Sequence, residues 1–134
     1  MIVADASALV EFIWGRPSAV TLAGRFQDLL GGVHVPHLTD VEVASSLRQY
    51  ATSPAGAAAA SDALGRYRAL RLWRHRHEPL LARVWELRYN LSAYDAIYVA
   101  LAERLDAPLF TCDRRLARAP GHAARIELLA PPAM

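Results

Sequence analysis

Met1-Ile2-Val3-Ala4-Asp5-Ala6-Ser7-Ala8-Leu9-Val10 opens the chain with a short apolar run that ends on an acid and passes at once into a helical pattern. The same handover recurs along the sequence. Ala6 to Trp14 and Ser18 to Leu30 read as helical, with Gly15-Arg16-Pro17 as the break between them and Gly31-Gly32 as the stop. Val33 to Val35 is a second strand. Thr39 to Tyr50 carries Val43, Leu47 and Tyr50 on a helical stripe, and Ser53-Pro54 opens an Ala-rich helix reaching Arg68. Leu70 to Arg74 alternates like a third strand, Leu80 to Arg88 and Ala93 to Leu105 are helical, Pro108 to Thr111 is a fourth strand, and Ile126 to Leu129 is a candidate fifth. Strands alternating with helices predict an α/β fold: a parallel sheet covered by helices on both faces.

Four acids occupy the handovers: Asp5 after the first strand, Glu42 and Asp95 at the starts of helices, and Asp113 after Leu109-Phe110-Thr111-Cys112. If the strands are parallel, these junctions gather on one edge of the sheet, where α/β folds place their chemistry. Two carboxylates about 4 Å apart repel by roughly 4 kcal/mol at an effective dielectric near 20, so a cluster of four stays ionised only around divalent cations. Taken singly, each acid also has a structural explanation. Thr39-Asp40-Val41-Glu42 and Ser92-Ala93-Tyr94-Asp95 fit the capping-box pattern, Asp113 suits an N-cap for Arg114 to Ala117, and Asp5 with Ser7 suits an Asx turn. Capping does not explain why all four fall on one edge.

At 134 residues, with 54% hydrophobic and 21% charged residues, the chain has the composition of one globular domain, residues 1–134, burying roughly two-thirds of its unfolded surface. No apolar stretch approaches the ~20 residues of a membrane span, and the start lacks a signal-peptide pattern, so a cytoplasmic location is expected. The single cysteine, Cys112, excludes an internal disulfide and reads as a small buried hydrophobe. All 15 basic side chains are Arg, and the pI is near 9.0. Arg66, Arg68, Arg71, Arg74 and Arg76 form the densest run, a solvated face or an RNA-backbone contact. His34, His37, His75 and His77 lack the helical spacing of a zinc site.

Four segments carry a family resemblance. Val3-Ala4-Asp5-Ala6-Ser7-Ala8-Leu9-Val10, Val35-Pro36-His37-Leu38-Thr39-Asp40-Val41-Glu42-Val43, Leu91-Ser92-Ala93-Tyr94-Asp95-Ala96-Ile97-Tyr98-Val99-Ala100-Leu101-Ala102 and Leu109-Phe110-Thr111-Cys112-Asp113-Arg114-Arg115-Leu116 resemble the PIN-domain family, specifically VapC-type ribonuclease toxins. Residues 51–77 carry no family motif. The resemblance implies a three-layer α/β/α fold with a roughly five-stranded parallel sheet, and an acidic site of Asp5, Glu42, Asp95 and Asp113 supported by Ser7 and Thr111. It also implies a homodimer, an RNA substrate and a cognate VapB-type antitoxin. Asp40, two residues before Glu42, is a first-turn acid suited to the helix dipole or a neighbour of the site.

The residues suit that chemistry in their own right. Hard oxygen ligands without His or thiolate select Mg²⁺ or Mn²⁺ over zinc. Asp5 and Asp95 are the expected principal ligands, with Glu42 and Asp113 holding a second ion or outer waters and Glu42 the better proton acceptor. Arg114 and Arg115 suit a grip on a substrate phosphate, or a solvated helix face. A phosphoryl-accepting receiver domain and a P-loop enzyme would each resemble a pattern that needs lysine, which is absent. A dehalogenase-type phosphatase would resemble Asp-x-Asp at the first strand, where this chain has Ser7. The runner-up is a catalytically silent PIN-like scaffold that binds RNA or protein.

Overall fold

The structure, a computed structural model, describes residues 1–28 and 30–129. Position 29 of the helix predicted over Ser18 to Leu30, and positions 130–134 of the predicted domain, lie outside the described residues. Five strands form one sheet in the order β3-β2-β1-β4-β5, every neighbouring pair parallel: β1 Ile2–Ala4, β2 Val33–Pro36, β3 Leu72–His75, β4 Leu109–Thr111 and β5 Ile126–Leu128. Among the described residues, six α-helices connect and cover them: α1 Ala6–Ile13, α2 Leu38–Arg48, α3 Pro54–Arg68, α4 Leu81–Glu86, α5 Ala93–Leu105 and α6 Arg114–Ala117. The α/β architecture with a five-stranded parallel sheet is thus as the sequence predicts.

Parallel strands need apolar residues on both faces because helices cover both. In β1, Ile2 and Ala4 enter a core shared with Leu9, Val33, Val35, Val43 and Tyr67, while Val3 faces the opposite core with Ile97, Leu101 and Leu109. All three β1 residues are fully buried. Burying a Leu or Val side chain in this way contributes roughly 1.5–3 kcal/mol. The approach to β2 is tight: a Cβ at Gly31 would run into the Met1 nitrogen, and Gly32 has φ of +72°.

Four local expectations are corrected. The segment expected as a helix over Ser18 to Leu30 is a 3₁₀ helix, Pro17–Gln27, whose buried Ala19 and Leu22 stand three apart, the repeat of that tighter turn. The expected helix from Leu80 to Arg88 is a 3₁₀ turn, Glu78–Leu80, leading into the shorter α4. The expected capping box at Thr39 does not form. α2 begins earlier, at Leu38 after His37, and Thr39 lies buried inside it. β3 runs Leu72–His75 rather than Leu70 to Arg74, set by its register on β2, where His75 pairs with Pro36.

Candidate active site

The chain steps outward from β1 to β2 and β3, then returns to lay β4 on the other side of β1. Where the winding direction reverses, the crossovers leave a crevice outside the carboxyl ends of the two strands. Asp5 follows β1 and Thr111 ends β4, and the two ends are tied by the Asp5 N–H donating to the Phe110 carbonyl at 3.1 Å. A cavity of about 300 Å³ opens there, and Asp5, Ser7, Glu42, Asp95 and Asp113 all line it.

Asp5 is held most firmly. As the N-cap of α1, its Oδ1 accepts from the Ala8 N–H at 3.0 Å and from the Ser7 hydroxyl at 2.6 Å, while Oδ2 accepts from the Thr111 hydroxyl. Ser7 and Thr111 are fixed in turn: the Ser7 Oγ accepts from the Cys112 N–H and the Thr111 Oγ1 from the Asp113 N–H, each at 3.0 Å. Burial pushes the Asp5 pKa up despite these bonds, and the Asp95 charge adds to the rise. Asp113 caps α6 as expected, its Oδ1 accepting from Arg115 and Leu116.

The other two acids project from helices. Glu42 on α2 accepts from the Tyr98 hydroxyl, which also meets the Thr39 hydroxyl at 2.9 Å. With the Tyr98 proton committed to Glu42, Thr39 is the donor in that second bond. Burial raises the Glu42 pKa, and the charges of Asp5 and Asp95 raise it further against the lowering effect of Tyr98. Asp95 is in the first turn of α5, where the Ser92 Oγ accepts its N–H at 3.2 Å, the cap half of the expected box. Burial raises its pKa and Asp113 adds to this, while the Arg115 charge opposes both.

The remaining expectations divide. Arg115 lies within 3.4 Å of Asp95 and 3.6 Å of Asp113, bridging the two acids from an exposed position. Arg114 is exposed and does not line the cavity. Asp40 turns away: it accepts from Tyr67 at 2.6 Å and from the Arg74 Nε at 3.0 Å. Burial raises its pKa, but the Arg74 and Tyr67 bonds outweigh that and hold it low. The arginine run is likewise divided, with the Arg66 Nε donating to the Ile13 carbonyl and Arg74 paired to Asp40. Cys112 is half-buried against the core rather than fully buried as expected, and burial still pushes its thiol up to about 11.

Tyr98, Ser45 and Ser46 also line the cavity and were missed from the sequence. Their signal was helical spacing: Ser45 and Ser46 stand three and four residues from Glu42, and Tyr98 three from Asp95. The donor set is hard oxygen throughout, which fits Mg²⁺ or Mn²⁺. Among the described residues, no three His, Cys, Asp or Glu side chains converge closely enough to hold one ion directly. That spacing suits an ion that keeps most of its water and takes one or two carboxylates, the habit of Mg²⁺.

Comparison with known proteins identifies the family. Residues 2–122 match the family described as the PIN domain. The chain is 45% identical over 119 residues to VapC ribonuclease Mb0985 of Mycobacterium bovis, covering 87% of this chain and 88% of that protein. It is 42% identical over 133 residues to ribonuclease VapC1 of Mycobacterium tuberculosis, covering 95% and 96%. A toxin-antitoxin complex from Klebsiella pneumoniae contains a chain of the same fold, with a TM-score of 0.63 at 18% identity, covering 98% of this chain and all of that one. By the match over most of its length and by these relatives, the chain belongs to the PIN-domain family and falls among its VapC-type ribonucleases.

Proposed function

We propose that the chain is a Mg²⁺- or Mn²⁺-dependent endoribonuclease, the toxin of a VapBC-type toxin-antitoxin pair, built as a single PIN domain over residues 1–134 and working in the cytoplasm. The observation that carries this reading is the meeting of Asp5, Glu42, Asp95 and Asp113 in one cavity at the sheet's switch point, in a chain 45% identical to a VapC ribonuclease. Among the described residues no helix is long and apolar enough to cross a membrane.

In this reading Asp5 and Asp95 would hold the ion, and Glu42 and Asp113 would hold its outer waters or a second ion. A bound divalent ion supplies acidified water and neutralises charge on the phosphate and the leaving oxygen. Ser7 and Thr111 fix the Asp5 carboxylate, which keeps its oxygens aimed into the cavity. Glu42, with its raised pKa and its Tyr98 anchor, takes the proton from the attacking water. Arg115 lies on Asp95 and Asp113 and swings toward a substrate phosphate, with Arg114 beside it on α6.

A cognate VapB-type antitoxin is the expected partner, its C-terminal segment offering an Arg to the same carboxylates in place of metal. A homodimer is expected as well. The test is incubation of the purified chain with total RNA in Mg²⁺, in Mn²⁺ and in EDTA. Cleavage confined to the metal arms is expected. Equal cleavage in EDTA would remove the metal from the account, and no cleavage in any arm would favour the silent scaffold.

A further inference from the structure

Resting on the ribonuclease reading, we propose that the groove between β3 and α5 is a second binding site, which holds a backbone phosphate of the RNA strand whose scissile bond lies in the acidic cavity. The groove has a volume of about 300 Å³. Its walls are Arg74, His75, Arg76 and Arg104, its floor includes the buried Leu80 and Leu101, and no carboxylate lines it. The acidic cavity has the reverse character, with four carboxylates and no lining cation.

That opposition sets the requirement. Four carboxylates repel a polyanion, so affinity for RNA must come from cations elsewhere on the protein. Arg74 is partly spent on Asp40, and the Arg104 Nη1 donates to the Pro79 carbonyl at 3.3 Å. Neither Arg76 nor Arg104 has an acidic partner among the ion pairs of the described residues. The guanidinium fork matches phosphate oxygens. Burial holds the His75 pKa down, and the nearby His34, Arg104 and His37 lower it further, so His75 lines the groove as a neutral ring and the arginines carry its charge.

Two helices join the groove to the cavity. α5 gives Asp95 and Tyr98 to the cavity and Leu101 and Arg104 to the groove. At about 1.5 Å per residue, Arg104 lies roughly 14 Å along the helix from Asp95. α2 gives Glu42 to the cavity and, through Asp40, holds Arg74 at the groove. An internally cut RNA continues past the scissile bond and presents further phosphates across this span.

The test is fluorescence anisotropy in EDTA with a labelled single-stranded RNA of about ten nucleotides, over about 50 to 200 mM salt. The full-length chain carries Asp5→Asn, so cleavage plays no part. Adding Arg76→Ala and Arg104→Ala together should weaken binding at least about tenfold and lower the salt slope by between about 1 and 2. The Arg76→Lys/Arg104→Lys pair should keep most of the slope, because it keeps the charge. Arg125→Ala, at the opposite edge beside β5, should change affinity less than about twofold. Inorganic phosphate should compete only weakly, because the strand engages more than one group.

Unchanged affinity and slope in the double alanine variant would overturn the proposal. So would an equal loss in Arg125→Ala, which would make the effect one of diffuse charge. Displacement of the RNA by low inorganic phosphate would reassign the groove to free phosphate, and equal affinity for a poly-glutamate peptide would reassign it to an acidic protein segment. Loss of binding in the double variant, together with no RNA cleavage by the chain that keeps Asp5 in Mg²⁺ or Mn²⁺, would sink the ribonuclease reading and leave the groove standing as an RNA site.

Discussion

The two sides of the acidic cavity are built on different principles. On the strand side, Asp5 is an N-cap whose two oxygens accept three hydrogen bonds, and the hydroxyls that donate to it are themselves held by backbone N–H groups of the segment after β4. On the helix side, Glu42 accepts from one tyrosine hydroxyl, and Asp95 stands over the Ser92 cap with an exposed arginine beside it. The strand side is therefore preorganised by the fold. The helix side is held by fewer hydrogen bonds, and burial raises the pKa of both of its acids.

The largest expected effect comes from breaking the fixed side. Asp5→Asn should lower metal-dependent RNA cleavage by at least about 10³-fold, since it removes charge from the most firmly oriented carboxylate. A single-turnover assay at saturating Mg²⁺ measures this, and activity within tenfold of the parent would remove Asp5 from the centre of the site. Thr111→Val comes next. It deletes the donor to the Asp5 Oδ2 and leaves the Asp113 N–H without its acceptor, so activity or metal affinity should fall about 10- to 100-fold. Mn²⁺ titration alongside cleavage separates the two losses.

Tyr98→Phe sharpens the helix side. It removes the only side-chain donor to Glu42 among the described residues and strands the Thr39 hydroxyl, at a cost of about 1–3 kcal/mol in stability. If Glu42 accepts the proton, its pKa should rise further, and the acidic limb of the pH–rate profile should move to higher pH. An unmoved limb would assign Tyr98 to packing alone.

Much of this was legible in the sequence, for local reasons. Ser53-Pro54 and Ser92 announce helix starts by side-chain capping within a few residues, and α5 runs over the predicted Ala93–Leu105. Asp5 and Asp113 were legible because strand, acid and helix follow one another along the chain. What was hidden depends on tertiary partners. Thr39 fits a capping box locally but is drawn into the core by Tyr98, 59 residues away. Asp40 looked ambiguous until Tyr67 and Arg74 turned it from the site. The strand order, which creates the switch point at Asp5 and Thr111, leaves no local trace at all.

The difference between the two sides is tested most directly by thermal melts of the parent, Asp5→Ala and Asp95→Ala in EDTA, repeated across pH and then with Mn²⁺. Asp95 has a pKa raised mainly by burial, so the folded state binds its proton more tightly than the unfolded state does. The metal-free parent should therefore lose stability as pH rises from the ordinary carboxylate range through that raised value. At neutral pH in EDTA, Asp95→Ala should melt a few degrees above the parent, flatten part of this pH slope, and lose most of the stabilisation that Mn²⁺ gives. Asp5→Ala should melt several degrees below the parent, because a cap is lost and two hydroxyls and an N–H lose their acceptor. Opposite shifts are the predicted result. If both variants melt lower in EDTA and still respond to Mn²⁺ as the parent does, both acids are structural caps and the account of the site is wrong.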